Sequence, residues 1–240
     1  MNVKEMHYDF KQKLNQVDSQ RWRALKAPEI DWKLNEAQEV FVKIVAQPRY
    51  KSQLGFESNQ RTIDDIRTIV IDQKESEGII PTVYDADSYI AILPTDYYFY
   101  ADSKVFATKG NCANIRLETR EVQHNDANQQ SVFDKSSFEW RKANIWYNKD
   151  GIRIFTDGTF SINKICLEYL REPRMIYNAE DAVGGTYRTL AGVVLVGTQD
   201  CELPRAVHRE IVDLAVYITA NDLNLPNIVN KQNKLELTNK

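Results

Sequence analysis

Cysteine is scarce in this 240-residue chain. The three present (Cys112, Cys166 and Cys201) are far apart and odd in number. They build neither a disulfide framework nor a zinc knuckle, and they fit a reducing compartment. Glycine is also sparse, with nine residues, so glycine-rich phosphate loops have little to be made from. The one Gly-Gly pair, Gly184-Gly185, is followed by Thr186 and not by Lys-Ser or Lys-Thr, which excludes a Walker pattern there. No apolar run reaches about 18 residues, so no membrane span is expected. Met1 to Phe10 lacks a signal-peptide pattern, and the chain is expected to stay where it is made. Neither sign of charge dominates. Lys and Arg number 31 against 34 Asp and Glu, for a net charge of −3 and a pI near 5.7. That balance argues against a protein whose main task is gripping nucleic acid through a basic surface.

What is present is a globular composition, 42% hydrophobic and 27% charged, in a chain long enough for a sizeable core. Asn (18) and Gln (13) together make about one residue in eight. Tyr (12) and Trp (4) supply large rings with a polar handle, which suits protein interfaces.

The pattern along the chain is helix, strands, helix. Val3, Met6, Phe10, Leu14 and Val17 fall on one stripe of a 3.6-residue period. Pro28 interrupts that pattern, and a second helix is expected from Asn35, where Asn35 and Gln38 resemble a capping box. Ala37, Val40, Phe41, Ile44 and Val45 form its apolar face, and Pro48 lies beyond its end. Strands are expected from 66 to 200. Ile115, Leu117 and Thr119 alternate with Arg116, Glu118 and Arg120, and Asp150-Gly151 and Asp157-Gly158 signal hairpins within an antiparallel meander. Gln123 to Ser137 is expected as a polar loop. After Pro204, Val207, Ile211, Leu214 and Ile218 form one stripe with Val212 and Val216 nearly opposite, which predicts a helix packed on two sides. The fold class expected is therefore α+β. N-terminal (1–65) and C-terminal (201–223) helices pack with each other and with a central antiparallel β meander or sandwich-like region (66–200), and an extended tail covers 224–240.

Catalytic constellations are not legible. His7, His124 and His208 match no metal-ligand spacing, and His208 reads as a structural or interface histidine. The acidic pairs Asp64-Asp65, Glu75 with Glu77, and Asp85 with Asp87 lie in or beside expected turns, where such residues bond local backbone. Cys166 reads as packing. Arg171, Arg174 and Arg188 could meet a phosphate or a neighbouring subunit, and their isolation favours solvation or ion pairing. Tyr97, Tyr98, Phe99 and Tyr100 could stack bases, but their charged neighbours are Asp96 and Asp102, so packing is favoured. No catalytic, cofactor-binding or metal-binding residue is assigned.

The ordered segments Leu34-Asn35-Glu36-Ala37-Gln38, Leu93-Pro94-Thr95-Asp96-Tyr97, Tyr169-Leu170-Arg171-Glu172-Pro173 and Leu203-Pro204, with His208 to Ala215 after them, resemble neck proteins of short-tailed bacteriophages. The resemblance is to the head–tail connector ring proteins of crAss-like phages, over about residues 34 to 223. It implies a virion structural protein at the head–tail junction, assembled in the host cytoplasm. Such proteins form a homo-oligomeric ring, typically of twelve copies, beneath the portal protein. Adjacent ring or tail proteins dock on it, and genomic DNA passes through its lumen without sequence-specific binding. No membrane or cofactor is implied. Mild acidity suits a channel through which a duplex must slide. By analogy with adaptor proteins, the tail would dock into a groove of the portal or of an adjacent subunit. Protein contacts are expected at Trp22, Trp32, Tyr217, Leu225, Ile228 and Val229. Three other readings stay open: a tail-tube or stopper protein lower in the neck, a small hydrolase using loop carboxylates near Asp64 or Asp85, and a nucleic-acid-binding module built on the tyrosine cluster.

Overall fold

The computed structural model describes residues 1–17, 25–46, 64–123 and 135–223. Trp22, Pro48, Leu225, Ile228 and Val229, and most of the polar loop, lie outside the described residues. The fold is mixed α+β. Its long helices come from near the two ends of the sequence, and a large, mostly antiparallel sheet occupies the middle. The chain divides into two compact units, Met1–Ile69 with Pro173–Lys240, and Val70–Glu172.

In the helical unit, α1 (Val3–Val17) follows its apolar stripe, with Val3, Met6 and Phe10 fully buried. Asn2 starts it reciprocally with Glu5: the Glu5 N–H donates to Asn2 Oδ1 (2.8 Å), and the Asn2 N–H donates to Glu5 Oε2 (3.0 Å). The second helix, α2, runs Ala27–Ala46 and so begins eight residues before the expected Asn35. Pro28 sits in its first turn, where a missing N–H costs nothing, and the Lys26 N–H donates to Glu29 Oε2 (2.7 Å). Asn35 is therefore mid-helix. Its amide donates to the Asp31 carbonyl and to the Ile176 carbonyl (2.7 Å each).

Helix α3 (His208–Asp222) follows a 3₁₀ turn at Arg205–Val207. It packs on α1 and α2, as the sequence predicts for the C-terminal helix. Ile211, Val212, Ala215, Val216, Thr219 and Ala220 are buried, with Leu214 and Ile218 half-buried. Val212 and Val216 lie about 100° and 140° round the helix from Ile211, and with α1 and α2 both packed on it the helix is covered on two sides, as expected. Lys13 Nζ also reaches Asp213 (3.0 Å).

Four short strands join this unit and not the central sheet, which corrects the expected 66–200 block. β9 (Tyr177–Asn178) pairs β12 (Thr198–Gln199), and β10 (Thr186–Arg188) pairs β11 (Val194–Val196).

The second unit is one eight-stranded sheet. In chain order its strands are β1 (Val70–Asp72), β2 (Thr82–Asp85), β3 (Ser88–Ala91), β4 (Tyr97–Lys109), β5 (Cys112–Glu121), β6 (Lys142–Asn148), β7 (Gly151–Phe155) and β8 (Ser161–Arg171). They are arranged β1-β8-β4-β5-β6-β7-β3-β2, antiparallel throughout except for β5 with β6. The expected meander is only partly present. Asp150-Gly151 does close the β6–β7 hairpin, with Asn148 Oδ1 accepting from both N–H groups (2.8 and 2.9 Å). Asp157-Gly158 does not join paired strands. The outer edge of β7 is taken by β3, so the chain crosses over and β8 pairs with β4 and β1.

The sheet is rolled. Ile79 bonds Ile165 on β8 (2.8 and 2.9 Å), beyond one edge, and Thr82 starts β2 at the other edge. Three residue steps span at most about 11 Å, whereas a flat sheet of this width would separate the edges by roughly 33 Å. One core follows, formed by Ala91, Val105, Ala107, Leu117, Ala143, Ile145, Ile152, Ile154, Ile165, Leu167 and Tyr169, with Phe160 and Ile162. The alternation predicted for β5 holds, with Leu117 buried and Arg116, Glu118 and Arg120 exposed.

Candidate contact surfaces

In the helical unit the chemistry converges on Asp31, which is buried on α2. Its Oδ1 accepts from His7 Nε2 of α1 (2.7 Å), its Oδ2 accepts from the Tyr187 hydroxyl of β10 (2.6 Å), and the Asn178 N–H of β9 donates to both oxygens (3.2 and 3.0 Å). A buried carboxylate persists only when donors compensate its lost hydration, and here four elements supply or hold them. His7 Nδ1 and Asn178 Oδ1 are buried with no hydrogen-bond partner. Burial, then the bond to Asp31, raises the Tyr187 phenol well above its ordinary value, so it stays a donor at neutral pH. His208 is structural: Nε2 donates to the Leu203 carbonyl (2.7 Å), and Nδ1 lies 2.9 Å from the Met1 carbonyl.

The Asp31 hub pins one face of the β10–β11 ribbon. The other face is uncovered. Thr186 pairs Val196 and Arg188 pairs Val194, and all four are exposed. Val183 (97% exposed), Leu190 (88%) and Val193 extend the apolar surface. Between Asp181 and Asp200 the single charged residue is Arg188, which makes no ion pair among the described residues. Of the contacts expected from the sequence, Trp32 is 59% exposed on α2 and Tyr217 is half-buried on α3. Arg174 pairs with Glu202 (3.7 Å). Asp64 pairs with Arg67 (3.0 Å).

In the sheet unit the exposed apolar side chains gather at the β2–β3 hairpin. Every residue of β2 is exposed, and Ile80, Val83, Tyr84 and Ile92 all face solvent. Between Glu77 and Asp96 the charges are Asp85 and Asp87. Asp85 is ion-paired to Arg153, whose guanidinium also lies 4.6 Å over the Tyr84 ring and donates through Nε to Ser88 Oγ (3.0 Å). Asp87 is exposed and has no ion pair among the described residues. Glu75 pairs with Lys164 (3.5 Å), so one member of each acidic pair in this unit, Asp85 and Glu75, is held by a different cation. Among the described residues no group of three His, Cys, Asp or Glu is placed to hold a metal ion.

The tyrosine cluster packs. Tyr97 lies 5.8 Å from Tyr169 and Tyr100 5.3 Å from Tyr147, centroid to centroid, and the Tyr100 hydroxyl is 2.9 Å from Ser103 Oγ. Burial raises the phenol pKa of Tyr97, Tyr100 and Tyr147. Trp140, 85% exposed in the turn before β6, is a contact candidate that sequence reasoning passed over. It also passed over Val183 and Leu190, although the uncharged run from Thr189 to Gln199 was a visible signal.

No protein-family model matches the chain, and no curated protein matches it. Among the described residues no helix is long and apolar enough to cross a membrane.

Proposed function

We propose that the chain is a structural subunit of a head–tail connector ring, which continues a portal's DNA channel and docks tail components. The observation that carries this reading is the uncovered apolar ribbon β10–β11, rigidly anchored at Asp31 on one side and bare on the other. A two-stranded ribbon is marginal in water by itself. An uncharged, valine-rich strand left open is normally avoided, because it recruits other chains. A protein built to assemble has a use for such a surface. The ordered sequence segments that resemble connector rings supply the choice among assemblies. The portal, the adjacent ring or tail proteins, the lumenal DNA and the virion neck location all belong to this proposal.

Sedimentation velocity of the protein with and without its cognate portal tests it. The reading expects co-sedimentation with the portal at a fixed multiple of the portal's own copy number. Independent boundaries at tens of micromolar overturn it.

A further inference from the structure

We infer that the β10–β11 ribbon of one copy seats on the β2–β3 hairpin of the next copy. The inference rests on the ring reading only for the existence of a next copy. A ring needs a heterologous contact, in which two different patches of the same chain fit each other. The described residues offer two uncovered apolar strand surfaces, one on each unit. The ribbon presents Val183, Leu190, Val193, Val194 and Val196. The hairpin presents Ile80, Val83, Tyr84 and Ile92.

Their charges are complementary. The ribbon carries one charge, Arg188, on its exposed face beside Val194, with no ion pair among the described residues. The hairpin carries two, and Asp85 is already used by Arg153. That leaves the exposed, unpaired Asp87 at the tip of the turn. Ribbon against hairpin neutralises both charges within an apolar contact. Ribbon against ribbon would bring together two patches of the same sign, and hairpin against hairpin likewise, an arrangement that selects against the symmetric dimer. A second copy is therefore the occupant the surfaces fit, since each half of the match is present on this chain.

A disulfide trap tests the contact, even where it is weak. In a Cys112→Ser background, which removes the exposed native thiol, Val194→Cys protein is mixed with Val83→Cys protein under mild oxidation. The expected product is the mixed pair, in excess of either like pair. Adding Arg188→Asp to the first protein, or Asp87→Arg to the second, lowers the yield about tenfold. Adding both restores it. A yield that ignores the charges, a predominance of like pairs, or no mixed pair at about 100 μM (on the order of the weakest specific contacts) overturns the inference. Circular dichroism of each variant confirms that it is folded. A chain carrying both cysteines separates this inference from the ring reading. A trapped ladder that grows without closing keeps the contact and removes the ring, whereas a closed ring that forms with Arg188→Asp keeps the ring and removes the contact.

Discussion

Asp31 shows how one side chain can organise a unit. Replacing it with Ala leaves the His7 ring nitrogen, the Tyr187 hydroxyl and the Asn178 N–H without their acceptor. Breaking a buried pair of this kind costs about 3–5 kcal/mol, so Asp31→Ala is expected to lower denaturant-measured stability by at least that lower bound. Trp32→Ala, on an exposed face of the same helix, is expected to change stability by under about 0.5 kcal/mol. Thiol chemistry gives a second check at this scale. Burial pushes the Cys201 thiol up to about 11 and raises Cys166 as well, whereas Cys112 is exposed. Iodoacetamide at pH 8 should label Cys112 in the native protein and spare the other two until denaturant is added. Tyr169 gives a third. Burial and its hydrogen bond to Asp96 (3.1 Å) raise its phenol from 10.0 to about 12. The folded state thus holds that proton more tightly than the unfolded one. This contribution is complete below pH 10 and is lost as the pH rises toward 12, and Tyr169→Phe should flatten the stability curve in that window. The hub was not legible in the sequence. His7 lies on the Val3–Phe10 stripe, but a second helix expected from Asn35 leaves Asp31 outside any stripe, and Tyr187 completes the site from 156 positions away.

Among the elements, those with local causes were the legible ones. Helix α1 follows its stripe to the residue, and the β6–β7 hairpin follows its Asp-Gly turn. The start of α2 was missed because Asn35 and Gln38 imitate a capping box, while the actual contact at its start is one-sided: the Lys26 N–H donates to Glu29 Oε2, and the lysine side chain has no acceptor to return it. The crossing from β7 to β8 was missed because the competitor for the edge of β7, β3, is some sixty residues distant in sequence. Gly151 tests this packing. A Cβ there would come within 2.1 Å of the Ala91 carbonyl oxygen on β3, at a φ of +148° that side chains rarely adopt. Gly151→Ala is expected to cost at least about 1–3 kcal/mol and to broaden the resonances of β3 and β7. The ribbon has its own test. Tyr187→Phe deletes the 2.6 Å bond to Asp31 and leaves the ring. Amides of Thr186–Arg188 and Val194–Val196 should then exchange faster, while those of α3 keep their protection.

For the whole molecule, the sequence conveyed the α+β class and the packing of the C-terminal helix on the N-terminal ones. It did not convey the boundary of the sheet unit at Val70–Glu172, because β9–β12 carry the same strand-like pattern as the sheet but attach to the helices. The function proposed rests on uncovered apolar surface, which an assembly would cover. Cryo-electron microscopy of the protein mixed with its cognate portal, beside the protein alone, tests the central claim most directly. The account predicts a closed ring of this chain stacked coaxially on the portal, with β10–β11 buried between neighbouring copies. Particles showing a bare portal, with this chain unassembled at concentrations well above micromolar, would contradict it.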